Sequence, residues 1–89
     1  MRAIVTVVGA DRVGIIGEVC TTLAALQINI VDISQTVMQE FFTMIMLVDT
    51  EKAHKSLDEI DLQLQEKAKE MGLSIRIQRE DIFHAMHRI

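Results

Sequence analysis

Between Gly9 and Gly17 the chain reads Gly-Ala-Asp-Arg-Val-Gly-Ile-Ile-Gly, a glycine-rich stretch with an acid and a base, Asp11 and Arg12, side by side. Glycines in a loop that runs into a helix let backbone N–H groups approach an anion, so phosphate or carboxylate binding is the first chemistry to weigh. A Walker-type loop requires Lys and then Ser or Thr after its second glycine, and here Ile15 and Ile16 follow Gly14. The dinucleotide fingerprint requires glycine at its third position, where Asp11 stands. The spacing instead supports a helix N-terminus beside a flexible loop, whose free N–H groups suit a small anion such as a carboxylate. A purely structural reading stands beside it, in which Gly9 and Gly14 permit a tight turn and Asp11 caps the helix.

Other reactive side chains form no constellation. His84 and His87 are spaced to share one helical face but have no third ligand nearby in sequence, so no metal is expected and two solvated histidines are the simpler account. Cys20 lies on an apolar helical stripe, where a thiol packs rather than attacks. The methionines suit irregular gaps in a core or interface, and the mixed charges from Glu51 to Glu70 suit a solvated helix face. No catalytic group and no cofactor is expected.

The composition narrows the class further. With 89 residues, 49% of them hydrophobic and 25% charged, the chain has room for one small domain, taken as residues 1–89, with an ordinary globular core. A net charge of -4 disfavours nucleic acid as a partner, because phosphate affinity is built from clustered Lys and Arg. The apolar runs are too short to span a bilayer, no signal-peptide pattern opens the chain, and a single cysteine suits a reducing compartment; the expected location is the cytoplasm, with no membrane partner.

The elements that position the glycine loop follow from periodicity. Ala3 to Val8 is β-branched and ends at Gly9, which predicts a first strand. From Gly14, Ile15, Ile16, Val19, Cys20, Leu23, Ala24 and Leu26 recur at helical spacing. Asn29 to Met38 alternates, with Val31, Ile33 and Val37 opposite Asp32, Ser34 and Thr36, and predicts a half-exposed strand. Gln39 and Glu40 reverse the chain into Phe41 to Val48, apolar on both faces and so central. Asp49 and Thr50 are candidate caps for a second helix marked by Leu57, Ile60, Leu64, Ala68 and Met71 and ended by Gly72. Leu73, Ile75 and Ile77 alternate with polar residues as an edge strand. Glu80 to Ile89 is expected to form a short helical tail that docks by Phe83 and Met86.

This order is the split βαβ, or ferredoxin-like, α+β arrangement: a four-stranded antiparallel sheet with both helices on one face. The other face then carries Ile4, Val8 and one of two sets on the third strand, Phe41/Thr43/Ile45/Leu47 or Phe42/Met44/Met46/Val48. The tail is expected to cover only part of that face and a second subunit the rest, which predicts a homodimer or larger.

The run from Val7 to Ile16, then Leu23-Ala24, then Asn29-Ile30-Val31-Asp32-Ile33-Ser34-Gln35, resembles the ACT domain, a small regulatory module of amino-acid metabolism. The ending from Ile82 to Ile89 is similar to that of small bacterial and archaeal proteins made of one ACT domain alone. The resemblance implies edge-to-edge pairing into a continuous sheet and an amino-acid site at a subunit interface, between the first loop and first helix with the start of the second strand. Carried over, that implicates Gly9, Ala10, Asp11, Arg12, Gly14, Ile15, Asn29 and Ile30. It also implies action in trans on a metabolic enzyme or regulator.

Two functions therefore compete: a ligand-sensing dimer, and a ligand-free interaction module whose apolar sheet face docks on a protein. An acylphosphatase-like enzyme is disfavoured because Arg12 and Asn29 occur without the surrounding motif. RNA binding on the sheet is disfavoured because adjacent Phe41 and Phe42 point to opposite faces. For the sensing reading, helix N–H groups would take the carboxylate of an α-amino acid while Asp11 and Asn29 accept from its ammonium.

Overall fold

The computed structural model describes residues 1–81. The expected tail docking, His84 and His87 lie outside the described residues. Six elements run in order: β1 (Arg2–Ala10), α1 (Ile15–Ala25), β2 (Asn29–Met38), β3 (Phe41–Asp49), α2 (Leu57–Met71) and β4 (Leu73–Arg79). The sheet has the order β2-β3-β1-β4 with every neighbour antiparallel, so the expected ferredoxin-like topology holds and β4 is indeed an edge.

Alternation along each strand decides the two faces. Ala3, Val5 and Val7 of β1, Phe42, Met44, Met46 and Val48 of β3, and Ile75 and Ile77 of β4 are buried in one cluster with Ile15, Val19 and Leu23 of α1 and Ile60, Leu64, Ala68 and Met71 of α2. Of the two sets proposed for β3, Phe42/Met44/Met46/Val48 thus lies under the helices. Phe41/Thr43/Ile45/Leu47 lies on the open face with Ile4 and Val8.

Three local expectations need correction. The cap of α2 is Ser56, not Asp49 or Thr50: its side chain accepts from Glu59 N–H while the Glu59 carboxylate accepts from Ser56 N–H, a complete capping box. Asp49 instead continues the β ladder opposite both Arg2 and Asn29, and Thr50 donates from N–H and Oγ1 to the Met1 carbonyl at 2.8 and 3.0 Å. The Ser56-x-x-Glu59 spacing is itself a sequence signature of such a start. Second, Asp11 does not cap α1, whose N-cap is Gly14 with no side-chain hydrogen bond. Third, β2 is barer than a half-exposed strand. A bulge between Ile30 and Asp32 leaves Ile33 and Val37 on the helix side, yet Val31, Ile33 and Val37 are 53, 40 and 50% exposed. The helices pack over β3, β1 and β4 and stop short of this edge.

The hairpin between β2 and β3 turns through Gln39 at φ 57, and Gly72 ends α2 at φ 70, where the left-handed conformation favours glycine. Replacing Ser56 with Ala is expected to lower stability by about 1 kcal/mol, because it removes one half of the capping box. Urea denaturation followed by circular dichroism measures this, with an unchanged slope and a lowered midpoint expected.

Candidate functional site

The glycine-rich loop is held at one corner of the sheet. β1 ends at Ala10, and Asp11 N–H donates to the Glu40 carbonyl at 2.8 Å, tying the loop to the tip of the β2–β3 hairpin. Gly14 then turns the chain at φ 93 into α1. Because no side chain caps this helix, the N–H groups of Ile15, Ile16 and Gly17 have no acceptor within the helix. Glu18 N–H is the first to be satisfied, by the Gly14 carbonyl at 2.9 Å.

A shallow basin of about 240 Å³ opens in front of these groups. The loop supplies Asp11, Arg12 and Gly14 to its wall, α1 supplies Ile15 to Gly17, and the sheet supplies Gln35, Val37 and Phe42. Arg12 Nη1 donates to its neighbour's carbonyl at Val13 and lies 3.5 Å from Glu18 Oε1. Both partners of that pair are substantially exposed, so it contributes little to stability and leaves the guanidinium available to a ligand. The arrangement offers free N–H donors and a cation for a carboxylate, with Asp11 as an acceptor nearby.

The sequence-derived site residues do not all meet in one chain. Gly9, Ala10, Asp11, Arg12 and Gly14 cluster at the loop. Ile15 is there too, but its side chain is 2% exposed in the core, so only its backbone faces the basin. Asn29 and Ile30 are elsewhere: Asn29 is registered with Asp49 and, through it, Arg2, whereas Ala10 is registered with Phe41 and, through it, Met38. The length of β1 therefore separates Asn29 from the loop, roughly 27 Å at the rise of an extended strand. Within one chain, Asp11 and Asn29 therefore stand at opposite ends of the sheet.

Asn29 borders a second basin of about 360 Å³ at the opposite end, with Gln27, Ile28, Asp49, Glu51 and Lys52 among its walls. The Asp49 carboxylate accepts from Glu51 N–H at 2.9 Å and lies 3.5 Å from the N-terminal ammonium. The backbone hydrogen bond, followed by the nearby positive charge, holds its pKa below the ordinary carboxylate value. Gln35, Val37 and Phe42 were not named as site residues by sequence reasoning, because they reach the loop through strand register rather than local spacing. Among the described residues no cluster of His, Cys, Asp and Glu could hold a metal, and no helix is long and apolar enough to cross a membrane.

The sheet and loop together define a ferredoxin-like α+β module with a ligand-sized basin at a helix N-terminus. The chain belongs to the ACT-domain family, whose model matches residues 2–78. It is 54% identical over 89 residues to a UPF0237 protein of Clostridium acetobutylicum, with all of both chains covered. A UPF0237 protein of the archaeon Methanosarcina acetivorans is 46% identical over 88 residues, covering 99% of this chain and 96% of that one. Among solved structures, the ACT domain protein from Streptococcus pneumoniae superposes with a TM-score of 0.84 at 38% identity, over 98% of each chain. The regulatory subunit of aspartate kinase from Thermus thermophilus shares the fold, with a TM-score of 0.67 at 24% identity over 86% of this chain and 50% of that one.

Two outcomes are expected from the geometry. Gly14→Val should cost about 1–3 kcal/mol in urea denaturation, from the positive φ. Space is not the obstacle, since a Cβ at Gly14 would meet only Glu18 Oε1 at 3.9 Å. For Asp49 the folded-state pKa is depressed, so its stabilisation is present above the ordinary carboxylate range and is lost as pH falls through the lowered value. Melting temperatures measured from pH 7 down to pH 3 should therefore decline less steeply in Asp49→Asn than in the unaltered chain.

Proposed function

We propose that this chain is a ligand-sensing regulatory module that binds an α-amino acid in a site shared between two copies, and acts in trans on a metabolic enzyme or regulator. The observation that carries the reading is the division of the site: the loop and Asn29 stand at opposite ends of β2, and β2 is a bare edge strand with exposed Val31, Ile33 and Val37. An edge of this kind is a template for another strand. A second copy paired antiparallel about the middle of β2 lays Asn29 of the partner subunit beside Met38, at the loop end. A two-fold axis normal to the sheet repeats the arrangement, so one pairing completes two equivalent sites.

In such a site the ligand carboxylate is received by the free N–H groups of Ile15 to Gly17 and by Arg12. Its ammonium is received by Asp11 and by the amide oxygen of Asn29 of the partner subunit. Opposite ends of a zwitterion thus meet opposite partners, which a simple anion or cation would not exploit. Membership of the ACT-domain family supports the reading, as do the uncapped start of α1 and the basin in front of it.

Size exclusion with light scattering is expected to give a dimer. A natural amino acid at 100 times its dissociation constant should stabilise the fold by about 2.7 kcal/mol, and each kcal/mol moves the melting temperature of a domain this small by roughly 4–8 °C. Asp11→Ala and Asn29→Ala homodimers should each lose that shift. Refolding the two variants together should restore it in mixed dimers, where one of the two sites draws both groups from unaltered chains. Absence of recovery would overturn the shared site. A dimer that responds to no amino acid would favour the ligand-free interaction module.

A further inference from the structure

We propose that the Asp61–Arg76 ion pair is a clasp over the free edge of β4, which bars a second copy of this chain from adding a strand there and so confines pairing to β2. The clasp takes from the proposed function only that β2 is the pairing edge, and nothing from the ligand. An edge strand presents N–H and C=O groups to any extended chain, and two open edges would let copies add without end. β2 and β4 are the two edges of this sheet.

The two partners of the clasp start on opposite sides of the sheet. Arg76 is the register partner of Thr6, which alternates with the buried Val5 and Val7 and so belongs to the open face. Asp61 belongs to α2, next to the buried Ile60, on the helix side. Their guanidinium and carboxylate nevertheless meet, with Nη2 at 3.2 Å from Oδ2 and Nε at 3.3 Å from Oδ1. Side chains from opposite faces cannot touch through a sheet. The pair therefore closes around the outer edge of β4, where a neighbouring strand would lie about 4.8 Å away.

The same carboxylate takes a backbone donor out of use. Asp61 Oδ1 accepts from Ile77 N–H at 3.1 Å, so that amide points away from β1 and is already occupied. Gln65 Nε2, one turn further along α2, donates to Oδ2 at 2.8 Å. These bonds fix a side chain that is only 18% exposed. A strand pairing at Ile77 would have to displace it, leaving a carboxylate and a guanidinium without each other inside a new interface. Toward Leu73 the edge is accessible, through a groove of about 280 Å³ between the start of β4 and Gln65, Ala68 and Lys69, with Arg76 in its wall. Among the described residues β2 carries no comparable pair. Asp32 accepts from Ile33 N–H at 2.9 Å, but from the neighbouring position on the same exposed strand, so it turns aside without breaking a contact to another element.

The test compares the full unaltered chain with Asp61→Ala by size exclusion with light scattering over a range of concentrations. Alanine is the better helix former, so circular dichroism should show the fold retained. The variant's mass should rise to about twice that of the unaltered chain or beyond, and grow with concentration. Asp61→Ala/Arg76→Thr, which also removes the unpaired guanidinium, should associate further, and it decides if the single variant does not fold. In the unaltered chain the Ile75 amide, turned to the same edge by alternation, should exchange at a rate independent of concentration; in the variants it should slow about tenfold on assembly. A folded variant no heavier than the unaltered chain, or heavier with Ile75 exchange unchanged, overturns the clasp. Concentration-dependent protection of Ile75 in the unaltered chain overturns it as well. A monomeric unaltered chain would instead strike the shared site, and the difference between the chains would still decide the clasp.

Discussion

The position of β1 between β3 and β4 governs the rest of the molecule. Its hydrogen-bonding edges are both occupied, so its nine residues set the register of Phe41–Asp49 on one side and Leu73–Arg79 on the other. Its odd-numbered residues Ala3, Val5 and Val7 are fully buried under the helices, and a slip by one residue would exchange them for Arg2, Ile4 and Thr6. The same register holds the glycine loop at one end of the sheet and Asn29 at the other. Gly9 extends the constraint to the loop, because a Cβ there would collide with the Leu73 side chain of β4.

A central strand of this kind leaves its cost at the periphery. With α1 and α2 both committed to the cluster over β3, β1 and β4, the edge strand β2 is left with no fully buried residue. Polar Asp32, Ser34 and Thr36 line one side of it, and Ile33 and Val37, with Gln35 between them, line the other, so the strand keeps one side hydrated and carries two exposed apolar side chains on the other. The bareness of β2 and the division of the candidate site are therefore one geometric fact: a strand too far from the helices to be covered is also the strand that spans both ends of the sheet.

Much of the site chemistry is local and readable as such. Failure of the Walker and dinucleotide patterns at Gly9 to Gly17 depends on neighbouring residues only, and so does the helix start after them. The role of Asp11 is not readable in this way, because capping is a matter of backbone direction: the chain continues past Asp11 through Arg12 and Val13 before Gly14 turns it, and Asp11 donates its N–H to the Glu40 carbonyl at the hairpin tip. Asp49 and Thr50 depart from expectation for a related reason. Both side chains can cap a helix, but the Asp49 carboxylate accepts from Glu51 N–H and from the N-terminal ammonium, and the Thr50 hydroxyl donates to the Met1 carbonyl.

Periodicity within the chain determined the six elements, their order and the apolar stripe of each helix, because these depend on contacts between residues a few positions apart. It also left both faces of β3 apolar and so equally eligible for the core. Only the tertiary structure chose Phe42, Met44, Met46 and Val48 for the helix side, since that choice depends on how the crossovers set the register of β3 against β1. The same register carried Asn29 away from Asp11 and brought Gln35 and Val37 to the loop. Residues far apart in sequence have no spacing to read, and their distance is decided by strand pairing alone.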